Sequence, residues 1–296
     1  MTAIGVDIGG TKTLAGLVNA EGKVVSSREA PTPSAAGPDA VLATAAELVT
    51  ALDTDADVPV GVGAAGTIDH VTGTVRFATD HLPKWTGTAV ADELHRRTGR
   101  TVVVDNDVNA AALAEARYGV GRDHDHLLLV AVGTGLGGGL ISGGRVYRGR
   151  RNAALEIAHL YVGATGDDVC GCGRTGHLEA VASGTGIAQA YARASGEQTS
   201  TREVAERARA GEPTATEVLD HAGDTLGRAL AGCVALFDVD VVALGGSVGP
   251  ALLARATAAF EDDLFVAQTD VDLLPVALGA NAVVVGAALM AVEGLT

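Results

Sequence analysis

Two short segments of this chain, 123 positions apart, repeat one pattern: an apolar run, a Gly-Thr turn and a returning apolar run. Residues 3–7 lead through Ile8-Gly-Gly-Thr-Lys12 to 14–18, and residues 127–132 lead through Gly133-Thr134-Gly135 to 136–141. Aliphatic runs of this length bounded by glycine read as strands buried on both faces. A chain that begins twice in this manner points to an α/β architecture of two similar halves.

The remaining segments keep the alternation. Glu21-Gly22 is a hairpin turn into a strand at 23–28, residues 31–38 form a loop, and 39–52 carry helical spacing of Val, Leu and Ala. A buried strand at 58–64 precedes a long polar loop through Asp80, Pro83 and Trp85. A helix at 89–98, a strand at 102–105 and a helix at 107–118 follow. The second half predicts helices at 187–194, 200–210 and 215–237, a strand at 239–244 ending in Gly245-Gly246, and an apolar helix at 281–292. The expected division is 1–107 completed by 282–296, and 108–281, with a cleft between the two domains.

Composition narrows the function. Aromatic residues make up 3% against 47% hydrophobic, so the core is built from Ala, Val, Leu and Gly, which suits close packing of helix on sheet. A formal charge of −15 opposes the phosphate contacts that nucleic-acid binding requires, and no nucleic-acid partner is expected. No apolar run reaches the length of a membrane span, and the N-terminus enters a strand without a charged leader. No membrane partner is therefore expected, and the expected location is cytoplasmic. Three cysteines cannot build an extracellular disulfide framework; Cys233, inside an apolar run, is expected to be a buried core thiol.

Each Gly-Thr turn presents clustered backbone N–H groups, and glycine admits an anion without an intervening Cβ. Either turn alone reads equally well as a tight turn in a glycine-rich protein. The pair at matching positions, with Gly245-Gly246 after a third buried strand, favours a nucleotide cradle. It is neither a Walker loop nor a dinucleotide fingerprint, since neither spacing is present.

Val6-Asp-Ile-Gly-Gly-Thr-Lys-Thr13, Gly133-Thr-Gly-Leu-Gly-Gly-Gly139 and Leu244-Gly-Gly-Ser-Val-Gly249 resemble the two phosphate segments and the adenosine segment of the actin-like ATPase fold. In order and spacing they are similar to the ROK family (repressors, open reading frames and sugar kinases), over essentially the whole chain. That resemblance implies a two-domain, ribonuclease H-like α/β fold that binds ATP with Mg2+ between domains closing on a sugar. It implies that Gly9, Gly10, Thr11 and Lys12 face the β/γ-phosphates, with Gly133, Thr134 and Gly135 on the second side. Gly245 and Gly246 would serve the adenosine, Asp7 would hold Mg2+ through water, and the assembly would be a homodimer or homotetramer.

Asp105-Asn-Asp-Val-Asn109 follows a buried strand and opens a helix, where N-terminal N–H groups stabilise a carboxylate. One of these side chains is expected to cap the helix. The family resemblance makes Asn106 a ligand of sugar hydroxyls and Asp107 the base that takes the hydroxyl proton. Asp105 alternates to the opposite face of the strand and is given no role. Glu156 and His159, at i and i+3, resemble the family's Glu-x-Gly-His, in which both residues contact sugar and the histidine also binds zinc. This chain carries Leu155 and Ala158 where glycines are usual. Glu179 matches a further sugar-hydroxyl acceptor. Upstream, Gly63-Ala-Ala-Gly66 stands where Gly-x-Pro-Gly is common, Asp80 and His81 fall in a loop where Asn-Leu-x-Trp is frequent, and Trp85 is expected to pack rather than stack on sugar.

The run Cys170-Gly-Cys-Gly-Arg-Thr-Gly-His-Leu-Glu179 reads on its own as a metal loop, a redox pair or a glycine-rich turn. The resemblance supplies His159 as a third zinc ligand, and the family's fourth, a cysteine, is replaced here by His177. Imidazole and thiolate both suit tetrahedral zinc, so a structural Zn2+ on His159, Cys170, Cys172 and His177 is expected, its formal charge moved from −1 to neutral. The expected function is ATP-dependent phosphorylation of a sugar hydroxyl, O6 of glucose or a related hexose or N-acylhexosamine. Against a sugar-sensing regulator stands the glycine segment within seven residues of Met1, which leaves no room for a DNA-reading element. A pseudo-kinase is opposed by the presence of Asp107 with both phosphate turns. Polyphosphate as donor would call for a basic groove, and none is evident in the sequence.

Overall fold

The computed structural model describes residues 2–52, 54–78, 82–163 and 168–294, so Asp80 and His81 lie outside the described residues. The chain opens with β1 (Ala3–Ile8), β2 (Lys12–Val18) and β3 (Val24–Pro31), followed by α1 (Pro38–Thr50) and β4 (Val60–Ala64). A two-stranded ribbon, β5 (Thr67–Asp69) with β6 (Thr74–Phe77), then precedes α2 (Val90–Thr98), β7 (Val102–Asn106) and α3 (Asp107–Tyr118). Next come β8 (Leu127–Val132), β9 (Leu136–Ser142) and β10 (Arg145–Val146), then α4 (Glu179–Ala182), α5 (Gly184–Ser195), α6 (Thr201–Arg209) and α7 (Pro213–Phe237). The chain ends through β11 (Val241–Gly245), α8 (Gly249–Asp263), β12 (Asp272–Pro275) and α9 (Ala282–Glu293).

The duplication is visible in the sheets. The first has the order β3-β2-β1-β4-β7, with β1 antiparallel to β2 and parallel to β4, and β4 parallel to β7. The second has the order β10-β9-β8-β11-β12, with β8 parallel to β11 and β11 parallel to β12. Each sheet thus joins a hairpin series to two parallel strands, and in each the glycine turn follows the central strand.

Two compact units result: residues 1–123 with 139–154 and 278–296, and residues 124–138 with 155–277. The expected boundary after residue 107 differs from this division, because α3 packs on α9. A Cβ at Gly286 would lie 1.7 Å from the Ala110 carbonyl oxygen, so these helices meet backbone to backbone. Buried Glu115 on α3 accepts the Leu278 N–H at 2.7 Å and the Val120 N–H at 3.1 Å, which ties the returning segment to the first unit.

The shortage of aromatics is resolved by close approach. A Cβ at Gly61 on β4 would stand 1.7 Å from the Ala287 carbonyl oxygen of α9, so only glycine lets this helix reach the strand. Gly61→Ala is expected to destabilise the protein by about 3 kcal/mol, the upper end for overpacking. Urea unfolding would show this as a lower midpoint at unchanged slope. Trp85 is 1% exposed and donates its indole N–H to the Ala65 carbonyl at 3.2 Å, a packing role as expected. Cys233 is buried, and burial pushes its thiol up to about 11.

Candidate active site

Asp7 is the penultimate residue of β1, and the turn after the strand is closed by the Gly9 N–H on the Lys12 carbonyl at 3.1 Å. Loss of solvent around the Asp7 carboxyl, reinforced by the negative charge of Asp107 and opposed by Lys12, pushes it up to about 7. Two carboxylates and one ammonium therefore share one electrostatic environment at the glycine turn. Lys12 is half exposed and pairs with Glu29 at 3.3 Å. Asp7 offers hard oxygen donors of the kind Mg2+ takes, so the residue fits the expected cation.

The raised value fixes the sign of a stability effect. A folded carboxyl titrating near 7 against 3.8 holds a proton that the unfolded chain releases earlier, so stability falls as pH rises across that window. Magnesium-free Asp7→Asn, a neutral mimic, is expected to melt higher than the parent at pH 8, and the gap is expected to close near pH 4. Thermal melts across pH check this; a constant gap would refute it.

β7 delivers the next side chains. Asn106 is the N-cap of α3: its Oδ1 accepts the Val108 N–H at 2.9 Å and the Asn109 N–H at 3.1 Å. Its Nδ2 donates to the Gly66 carbonyl at 3.1 Å and to Asp107 Oδ1 at 2.9 Å. Capping therefore falls to the residue the resemblance assigned to sugar, and a sugar hydroxyl would meet an amide already engaged. Asp107 occupies the first turn of α3, where its Oδ1 also accepts the Val108 N–H at 2.9 Å.

In the second unit, a cavity of ≈ 820 Å³ opens beside the turn after β8. Gly133 and Thr134 line it with Gln189, Arg202, Ser247 and Val248, a size and mixed lining that suit a nucleoside. Gly245 and Gly246 do not line the cavity but shape its wall. Gly246 has φ 83°, and a Cβ there would stand 2.2 Å from the Val132 carbonyl oxygen, so glycine is required for the turn that presents Ser247. Gln198, Thr199 and Arg209 also line it and were not anticipated. Arg209 ends α6, and Gln198 and Thr199 lie in the loop that precedes it.

The same unit gathers the cysteine loop. The Cys170 N–H donates to the Arg174 carbonyl and the Gly173 N–H to the Cys170 carbonyl, both at 2.8 Å, folding the loop into a tight knuckle. His159, Cys170, Cys172 and His177 each offer one ligand atom, all four within 4.8 Å of one another. Cys170 Sγ lies 3.6 Å from His159 Nδ1, and Cys172 Sγ 3.4 Å from His177 Nδ1. Tetrahedral zinc with bonds of about 2.3 Å to sulfur and 2.0–2.1 Å to nitrogen has sulfur–nitrogen edges of about 3.5 Å, which the two pairs match. The residues fit the metal.

His159 Nε2 lies 4.0 Å from Glu156 Oε2, beyond hydrogen-bond distance, while Nδ1 faces the Cys170 thiol. Glu179 Oε1 accepts the Gly171 N–H at 3.2 Å and the Cys170 thiol at 3.2 Å, which pins it to the knuckle. Leu155, one of the two residues standing where glycine is usual, sits at φ 60°, the left-handed region that glycine occupies without strain. Ala158 is buried in an ordinary helical turn.

Two sheets built on one plan, each with a glycine turn after its central strand, define the actin-like ATPase class. Residues 3–293 match the ROK family, and the chain belongs to it. It is 35% identical over 263 residues to a glucokinase of Thermotoga maritima, covering 84% of this chain and 82% of that one. It is 36% identical over 295 residues to an N-acetylmannosamine kinase of Escherichia coli, covering 95% and 99%. Among solved structures, a ROK family glucokinase of Streptomyces griseus in complex with glucose and AMPPNP superposes with a TM-score of 0.85 at 33% identity, covering 99% and 100%. Among the described residues, no helix is long and apolar enough to cross a membrane.

Proposed function

We propose that the protein is an ATP-dependent sugar kinase in which Asp107 is the general base and the acceptor is O6 of glucose or of a closely related hexose or N-acylhexosamine. The observation that carries this reading is the shared environment of Asp7, Asp107 and Lys12 at the Gly-Gly-Thr turn. The sugar hydroxyl gives its proton to the Asp107 carboxylate while its oxygen bonds the γ-phosphorus. The bond to the β–γ bridging oxygen breaks, and ADP departs with that electron pair. Such transfer needs positioning and charge neutralisation more than covalent help from the protein.

Backbone N–H groups of Gly9–Lys12 and Gly133–Gly135, with the Lys12 ammonium, neutralise the phosphates, and the ≈ 820 Å³ cavity takes the adenosine. Asp7 would hold Mg2+, which would supply further charge neutralisation during the transfer. Glu156, His159 and Glu179 bind sugar hydroxyls, and Asn106 chiefly fixes the turn that aims the base. The similar identities to a glucokinase and to an N-acetylmannosamine kinase support both sugar classes. Coupled ADP release across glucose, mannose, fructose, N-acetylglucosamine and N-acetylmannosamine tests the reading. Turnover dependent on one of these sugars is expected; ATP hydrolysis indifferent to all five would overturn it.

A further inference from the structure

We infer that Asp105 is a positioning residue for phosphoryl transfer: with Asn109, Arg148 and Asn152 it fixes the first turn of α3 and so the aim of Asp107. The inference rests on the assignment of Asp107 as base. Asp105 is 0% exposed, and four donors converge on its carboxylate. Its Oδ1 accepts the Asn106 N–H at 2.7 Å, Asn109 Nδ2 at 3.1 Å and Asn152 Nδ2 at 2.6 Å; its Oδ2 accepts Arg148 Nε at 2.8 Å.

Asn152 closes the network. It is 6% exposed, sits at φ 54°, donates also to the Ile68 carbonyl at 3.0 Å and accepts Asn109 Nδ2 at 3.1 Å. A non-glycine residue persists in left-handed backbone only where its surroundings determine it. The bonds therefore lock residues 148–152, the end of β7 and the first turn of α3 into one body. Stability alone does not call for such a device, because well-packed apolar residues commonly replace a buried ion pair without loss. The carboxylate also fixes the N–H of Asn106, the residue whose amide both caps α3 and holds Asp107 Oδ1. These bonds restrain the turn that carries the base and the Oδ1 edge of its carboxylate. A base misplaced by about 1 Å loses about a hundredfold in rate.

The test is a double-mutant cycle. Asp105→Asn keeps the shape and removes the charge; Asn152→Gly keeps the left-handed backbone and removes the side-chain bonds. Each is made in the parent and in an Asp107→Asn background, with kcat, KM for ATP and thermal melts recorded. In the parent, sugar-dependent kcat is expected to fall about 10- to 100-fold while KM for ATP stays within about twofold. In the Asp107→Asn background the same changes are expected to alter the residual rate less than about threefold, since a residue acting through the base has nothing left to aim. A purely structural role would cut both backgrounds by the same factor, and that result overturns the inference. Parent kcat within threefold in folded Asp105→Asn and Asn152→Gly overturns it as well. If Asp105→Asn fails to fold, the Asn152→Gly pair decides. Parent-level kcat in Asp107→Asn itself marks the failure of the base assignment instead, and the inference falls with it.

Discussion

Asp107→Asn is expected to lower kcat and kcat/KM together by about a thousandfold, within the 10²–10⁴ range of a positioned general base, with KM for ATP nearly unchanged. The substitution is close to isosteric, and an amide oxygen at Oδ1 can still accept the Val108 N–H and the Asn106 Nδ2 hydrogen that Asp107 receives at 2.9 Å each. α3 should therefore keep its first turn, and the melting temperature should stay close to the parent's. What disappears is the anion that accepts the hydroxyl proton as the oxygen attacks phosphorus. A second consequence separates this from general damage. Asp107 is one of the two causes raising Asp7, so without its charge Asp7 moves back toward the ordinary carboxylate range. The pH-dependent stability gap between the magnesium-free protein and its Asp7→Asn variant should accordingly narrow in the Asp107→Asn background. Full activity in Asp107→Asn, with one of the five sugars active in the parent, would remove Asp107 from the mechanism.

The parts legible in the sequence share a physical reason. α3 and β8 have the bounds the sequence predicts, 107–118 and 127–132, because one starts at an Asn cap and the other is an unbroken aliphatic run ended by glycine. The ribbon of β5 and β6 reads only as polar loop, since strands of three and four residues with half-exposed faces carry no usable period. α8 was recoverable: Leu252, Ala256, Ala259 and Phe260 are among its buried residues at helical spacing, but alanine gives that face little contrast. Asp105 was out of reach for a different reason. Its partners Arg148 and Asn152 stand 43 and 47 positions away, and only the fold makes its side of the strand polar. The phosphate turns and the cysteine loop were legible because their chemistry is local in sequence. The cavity's Gln198 and Arg209 were not, because helices and loops unrelated in pattern bring them to one wall.

Replacing Cys172 by Ala should take zinc from about one per chain to near zero and raise the sugar KM at least tenfold, a typical effect of losing a metal-site partner. Glu179 links the two effects. With no metal, burial pushes the Cys170 thiol up to about 12, so the thiol keeps its proton and directs it at Glu179 Oε1, 3.2 Å away. The carboxylate that should accept a sugar hydroxyl then accepts the thiol instead. Zinc binding requires the thiolate and so withdraws that competing donor, leaving Glu179 held by the Gly171 N–H. Two thiolates and two neutral imidazoles would bring a zinc site to zero formal charge, so a bound metal would orient Glu156 and Glu179 without adding to the negative charge around them. His177→Ala separates a four-ligand site from a three-ligand one, because His177 Nδ1 faces Cys172 at 3.4 Å and would otherwise be a bystander. Zinc analysis of the purified variants decides: His177→Ala is expected to lose most of its metal, and unchanged zinc there, or a parent protein purified without near-stoichiometric zinc, would refute four-ligand binding.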